Sequence, residues 1–199
     1  MTTQKSIIVA SILLIVTISQ SIGAKEATVT GLPGHELGDS TISLSLGMLI
    51  PLFFQDFSGN YYPGNSSLGG TGSIFWSAYL NNSIRLGVEF GGAFAYPPTQ
   101  NGDMFWMIPI TLKATYIFTI SRFEIPVFIG LGVDLATYNQ LFDILFVAKP
   151  GFGIFWRFDA NLSFGLNVTW WFNLEFQTSK KPAIMSNYTD VSAALMYYF

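Results

Sequence analysis

From Ala160 to Phe176 the chain reads ANLSFGLNVTWWFNLEF, and two kinds of side chain alternate along its whole length. Leu162, Phe164, Leu166, Val168, Trp170, Phe172, Leu174 and Phe176 fall on one side. Asn161, Ser163, Gly165, Asn167, Thr169, Trp171, Asn173 and Glu175 fall on the other. A period of two is the signature of a β-strand, but a half-buried strand of a soluble protein runs for about 5–6 residues. Seventeen residues need a different solvent on one side. A strand tilted across a bilayer, apolar toward lipid and polar toward a lumen, has this length and this alternation.

Composition supports a lipid environment. Half of the 199 residues are hydrophobic and 17% aromatic, and only 11% are charged, where a soluble domain carries about 25%. Beyond the N-terminus, no run of about 18 apolar residues escapes interruption by Pro, Gly, Lys or Asp, so spanning helices are excluded. A closed barrel remains, because hydrocarbon offers no water to an open sheet edge.

The first 24 residues read separately. Lys5 supplies a short positive region, Ser6 to Ile18 an apolar core, and Ser21-Ile22-Gly23-Ala24 small residues at a cleavage site after Gly23 or Ala24. This pattern is a removable secretory signal; the alternative is an uncleaved anchor. Its removal leaves eight basic residues against twelve acidic ones, a balance that excludes a nucleic-acid binder. With no cysteine, disulfides and thiolate metal sites are excluded.

Residues 25–39 lack periodicity and are expected to form an irregular periplasmic lead-in. From residue 40 onward, eight alternating segments follow: Thr41–Leu52, Gly69–Leu80, Ile84–Ala95, Met104–Thr119, Phe123–Thr137, Asp143–Arg157, Ala160–Phe176 and Tyr188–Phe199. Phe54 to Leu68 is expected to be a polar loop. The links after the second, fourth and sixth segments are short and the others longer, as in bacterial barrels with short periplasmic turns. The expected fold is all-β, an eight-stranded antiparallel up-and-down transmembrane barrel over residues 40–199. Eight strands leave an interior that side chains can fill.

A lipid-facing Arg or Lys costs about 2–4 kcal/mol at the midplane, so charges should avoid that face. Arg85, Glu89, Lys113, Glu124, Asp134, Asp143, Lys149, Arg157, Glu175 and Asp190 all share the phase opposite the apolar residues. Arg85, Glu89, Lys113, Asp134, Lys149, Arg157 and Glu175 are expected to form a compensating charge network in the lumen. The same residues could instead make an acid/base pair or a polar conduit. Gly130, Gly132, Gly151 and Gly153 remove side chains from one patch of the wall, which either Phe128, Phe155, Trp171 or the Lys113 stem fills, or a small hollow occupies. Aromatic residues gather at strand ends, including Tyr116, Phe118, Trp156 and Tyr197 at one rim and Phe53, Phe94, Trp106 and Phe176 at the other.

The single histidine, His35, sits in the lead-in and is expected to be a solvated loop residue. No glycine-rich phosphate loop or metal-ligand spacing appears, so no catalytic, metal or cofactor site is expected.

The pattern resembles the small eight-stranded outer-membrane barrels, the superfamily of OmpA transmembrane domains, OmpX and OmpW. Val191, Ala193, Leu195, Tyr197 and Phe199 alternate to a C-terminal phenylalanine, which is similar to the signal read by the barrel assembly machinery, carried here by Leu195, Tyr197 and Phe199. Ile108-Pro109-Ile110-Thr111-Leu112, a tight turn, and Pro126-Val127-Phe128-Ile129-Gly130-Leu131-Gly132 resemble OmpW-like proteins most. The resemblance implies a bacterial outer-membrane location, lipid and the assembly machinery as partners, and a monomer. OmpW relatives further imply a narrow conduit for a small hydrophobic ligand, the alternative to a structural or surface-interaction role. An enzyme acting on lipid is a third reading, and this chain has no strand or outer-loop histidine for it.

Overall fold

The computed structural model describes residues 34–63, 67–96, 104–138, 141–175 and 184–199, with backbone alone at Tyr138 and Leu141. The expected signal segment, residues 25–33 of the lead-in, most of the Tyr96–Asp103 loop, Phe176 and the loop with Lys180-Lys181 lie outside them. Among the described residues the strands are β1 Ser40–Asp56, β2 Tyr61–Pro63, β3 Gly69–Tyr79, β4 Ile84–Ala95 and β5 Phe105–Ile120. They continue as β6 Phe123–Tyr138, β7 Leu141–Arg157, β8 Leu162–Glu175 and β9 Ile184–Tyr198.

Each long strand pairs antiparallel with the next, and β1 pairs with β9 from Thr41↔Tyr198 to Asp56↔Ile184, which closes an eight-stranded barrel. No barrel edge is left to hydrocarbon. The alternation of β8 sorts as its sequence dictates. Phe164, Leu166, Trp170 and Phe172 are exposed on the exterior, whereas Ser163, Thr169, Trp171 and Asn173 are buried inside. The same sorting holds around the wall, so the exterior is an apolar surface of Leu, Ile, Val and aromatic side chains. Such a surface suits lipid and not water.

Prolines interrupt the ladder where they fall. The β4–β5 register passes from Phe90↔Ile110 to Ala93↔Met107 across Pro109. The β6–β7 register skips Pro126 and the β7–β8 register skips Pro150. Each lacks an N–H to donate.

Four expectations need correction. Phe54 to Leu68 is not simply a loop, because β1 runs on to Asp56 and pairs with β2 through Phe53↔Pro63, Phe54↔Tyr62 and Gln55↔Tyr61. The turn between them is set by Asp56, whose carboxylate accepts hydrogen bonds from the Asn60 amide N–H and side chain, both at 2.9 Å, and by Gly59 at φ 87°. Second, a bulge between Pro51 and Phe53 resets the alternation, so Phe53 and not Leu52 continues the exterior face. Third, β6 and β7 pair to Tyr138↔Leu141, leaving a link of two residues where a longer one was expected. The expected contrast in link length therefore fails there. The last strand also begins earlier than expected, at Ile184.

Candidate functional site in the filled lumen

Inward side chains fill the barrel in layers. Toward the end with longer links, Leu49, Ala95, Met107, Leu145, Trp171 and Tyr188 form an apolar cluster. Beside it the Asn173 amide donates to Asp134 Oδ2 at 2.6 Å and approaches the Met107 sulfur at 3.4 Å. Toward the short-turn end, Tyr79, Ile117, Phe155, Ala194, Met196 and Tyr198 form a second apolar cluster. Charges lie between and below these two layers.

The central charge group joins three strands. Glu89 of β4 accepts from Lys113 of β5 at 2.6 Å and from Lys149 of β7 across the lumen. Aromatic faces take the remaining field of the two ammonium groups: Lys113 Nζ lies 3.9 Å from the Phe128 ring centroid, and Lys149 Nζ 4.0 Å from that of Trp171. Burial of three charges is sustained by this mutual bonding, since a buried charge without a partner is costly. A hollow of about 20 Å³ lies against this group, room for roughly one water or small ion.

The glycine patch is filled rather than hollow where the bulky side chains reach it. A Cβ at Gly151 would stand 2.6 Å from the Phe128 ring, and one at Gly153 would stand 3.3 Å from the Phe155 ring. Glycine at Gly151 thus lets the Phe128 ring approach the wall closely.

At the short-turn mouth the structure overturns the expectation for His35. Its side chain is only 7% exposed and is not a solvated loop group. The ring stacks on Tyr79 at 4.0 Å and Tyr198 at 5.2 Å, and Nε2 meets Glu124 Oε1 at 3.2 Å. Arg157 Nη1 reaches the same Glu124 oxygen at 3.4 Å, and the Tyr198 hydroxyl donates to Glu124 Oε2 at 2.8 Å. The lead-in backbone is fastened as well: His35 N donates to Asn82 Oδ1 at 3.0 Å, and Gly38 N to Tyr79 O at 3.0 Å. A segment without periodicity is thus held by tertiary contacts, together with a local bond from Glu36 N to Asp39 Oδ2 at 2.9 Å.

The seven expected network residues are therefore not one network. Glu89, Lys113 and Lys149 meet; Arg157 belongs to the Glu124–His35 group; Asp134 pairs with Asn173. Arg85 stands apart, bonded to the Met196 sulfur and the Thr41 hydroxyl. Glu175 is half-buried at the far end of β8, outside these groups. Of the other inward-phase charges, Asp143 is exposed at the start of β7 and Asp190 is buried beside the hollow. Leu195, Tyr197 and Phe199 all stand exposed on the exterior. Tyr79, Tyr198 and Asn173 share the inward phase of their strands but carry no charge to flag a role, and His35 carried no periodic signal at all. Among the described residues, no group of His, Cys, Asp and Glu is arranged to hold a metal ion.

Comparisons with known proteins agree with this architecture. A protein-family model matches residues 24–197. A protein of Borreliella burgdorferi, described as uncharacterized, is 33% identical over 165 residues, 73% of this chain and 77% of that one. The crystal structure of Neisserial surface protein A is similar with a TM-score of 0.58 at 14% identity, covering 80% of this chain and 97% of that one. The solid-state NMR structure of outer membrane protein AlkL in DMPC bilayers is similar with a TM-score of 0.51 at 15% identity, covering 88% and 96%. The fold is that of the small outer-membrane barrels.

Proposed function

This chain belongs to the family of the Borreliella burgdorferi protein, and from that premise we propose that it is a sealed, monomeric β-barrel of a bacterial outer membrane with a structural or surface-interaction role. The observation that carries this reading is the bond of Glu89 to lysines on two other strands, Lys149 across the lumen, between two apolar clusters. A conduit needs a continuous path, and buried ion pairs and two apolar clusters stand in the described lumen, with a hollow of about 20 Å³ beside the ion pairs. The OmpW-like reading, with a small hydrophobic ligand passing through, is therefore the weaker one. The role we propose is non-enzymatic, a reading supported by the burial of the His35 ring against Tyr79 and Tyr198 at the short-turn mouth. The exposed Leu195, Tyr197 and Phe199 at the end of the last strand support a further proposal, that this strand is read by the barrel assembly machinery.

Two measurements test this. Purified protein in planar bilayers is expected to give no conductance steps, and its vesicles no added uptake of a hydrophobic solute; reproducible solute entry that depends on the protein defeats the sealed barrel. Because the chain has no cysteine, Ser58→Cys on the β1–β2 turn offers one thiol to a membrane-impermeant maleimide. Labelling of intact cells is expected, and labelling only after lysis reverses the orientation.

A further inference from the structure

Arg85 is a buried guanidinium, 3% exposed, and none of its hydrogen bonds among the described residues reaches a carboxylate. Nη1 meets the Met196 sulfur at 2.8 Å and the Thr41 hydroxyl at 3.4 Å, the group lies 5.3 Å from the Phe75 ring centroid, and Nε has no partner. Glu89, the acid on its own strand, is already bonded to Lys113 and Lys149. Neutral partners of this kind do not cancel a buried charge.

The hollow adjoins this side chain. Three cations, Arg85, Lys113 and Lys149, line it against two carboxylates, Glu89 and Asp190, so its wall carries one positive charge in excess. Asp190 pairs with Thr169 well up β9, whereas Arg85 pairs with Tyr79 near the short turns, so the excess lies at the Arg85 end. The Ser43, Ser45 and Ser73 hydroxyls also line the hollow, those of Ser45 and Ser73 bonded to each other at 2.7 Å. About 20 Å³ admits one water-sized occupant and excludes a tetrahedral oxyanion. Water satisfies the Nε–H but leaves the charge. We propose that the hollow is a site for one small monovalent anion, a halide, held against Arg85. The site stands whether or not the barrel conducts.

The test uses the full chain refolded and crystallised with bromide as the sole halide. An anomalous bromine peak within hydrogen-bond reach of the Arg85 guanidinium is expected, and Arg85→Met, which keeps the bulk and removes the charge, is expected to lose it. In micelles, wild-type protein should unfold at higher urea in bromide or chloride than in gluconate at equal ionic strength, and R85M should show no such difference. A water in the hollow without anomalous signal, a peak that survives in R85M, or equal wild-type midpoints in the two salts overturns the proposal. Should R85M fail to refold, the wild-type crystal and the salt comparison decide it alone.

Discussion

Glu89 bonds two ammonium groups at once, so its removal is felt twice. Glu89→Ala leaves Lys113 and Lys149 in the lumen with aromatic faces but no carboxylate. Breaking a buried ion pair by removing one partner costs about 3–5 kcal/mol. Urea unfolding in micelles, followed by tryptophan fluorescence, should show a loss of that size, and a loss near zero would mean that the lysines find water. His35 is a second case, because its ring is stacked as well as bonded. His35→Phe should keep the stack on Tyr79 and Tyr198 and lose the Glu124 contact, whereas His35→Ala loses both. The expected order of stability is wild type, H35F, H35A, with H35A lower by about 1–3 kcal/mol. The inward placement of Arg85, Glu89, Lys113, Glu124 and Lys149 was legible, since each lies between apolar neighbours of opposite phase. Their partners were not, because pairing across a lumen depends on the stagger of strands distant in sequence. His35 was misread for a related reason: the Glu124, Tyr79 and Tyr198 that bury it come together only in the closed barrel.

The β1–β2 hairpin is the element that periodicity alone failed to reveal. Alternation stops at the bulge, and the turn residues around Gly59 looked like loop; yet Asp56, Gly59 and Asn60 are the chemistry of a tight turn. The hairpin has two different faces. Phe53 and Tyr61, with ring centroids 5.5 Å apart, continue the lipid-facing side of β1, while Tyr62 lies opposite Phe54, whose ring meets the buried Tyr188. Single nitroxide labels at 61 and 62 should therefore differ in lipid bilayers. The label replacing Tyr61 should collide more with oxygen, which concentrates in lipid, and the one replacing Tyr62 more with an aqueous nickel chelate. Equal aqueous access at both positions would place the whole hairpin in water. The turn also has a pH dependence of known sign. The Asn60 side-chain hydrogen bond holds the Asp56 carboxyl below the ordinary value of 3.8. A depressed carboxyl stabilises the folded turn above that ordinary value, and the contribution is lost as pH falls through the lower folded value. Label mobility at 61 should rise on acidification below 3.8 and stay flat from there to neutrality. The eight long strands were legible in number and order, because each separates two different environments, but not to their ends: β1 runs on to Asp56 and the last strand begins at Ile184.

At the scale of the whole molecule, the barrel inverts the ordinary distribution of polarity, with charge inside and hydrocarbon outside. This inversion is why composition and alternation together led to the fold: they report a property of the entire wall. They did not report how full the lumen is, which depends on volumes such as the Phe128 ring over Gly151. The inversion also makes a paired prediction at adjacent positions of β5. Leu112 is 64% exposed on the exterior near the middle of its strand, and Thr111 is 2% exposed inside with its hydroxyl unpartnered. Leu112→Arg puts a guanidinium into hydrocarbon and should cost about 2–4 kcal/mol in vesicles. Thr111→Val removes a hydroxyl that makes no bond and should change stability by at most about 1 kcal/mol in either direction. In a water-soluble barrel the large difference disappears, since an exposed Arg is harmless there. Reversible unfolding of the two variants in lipid vesicles distinguishes these cases, and a neutral L112R would remove the membrane from the account of this fold.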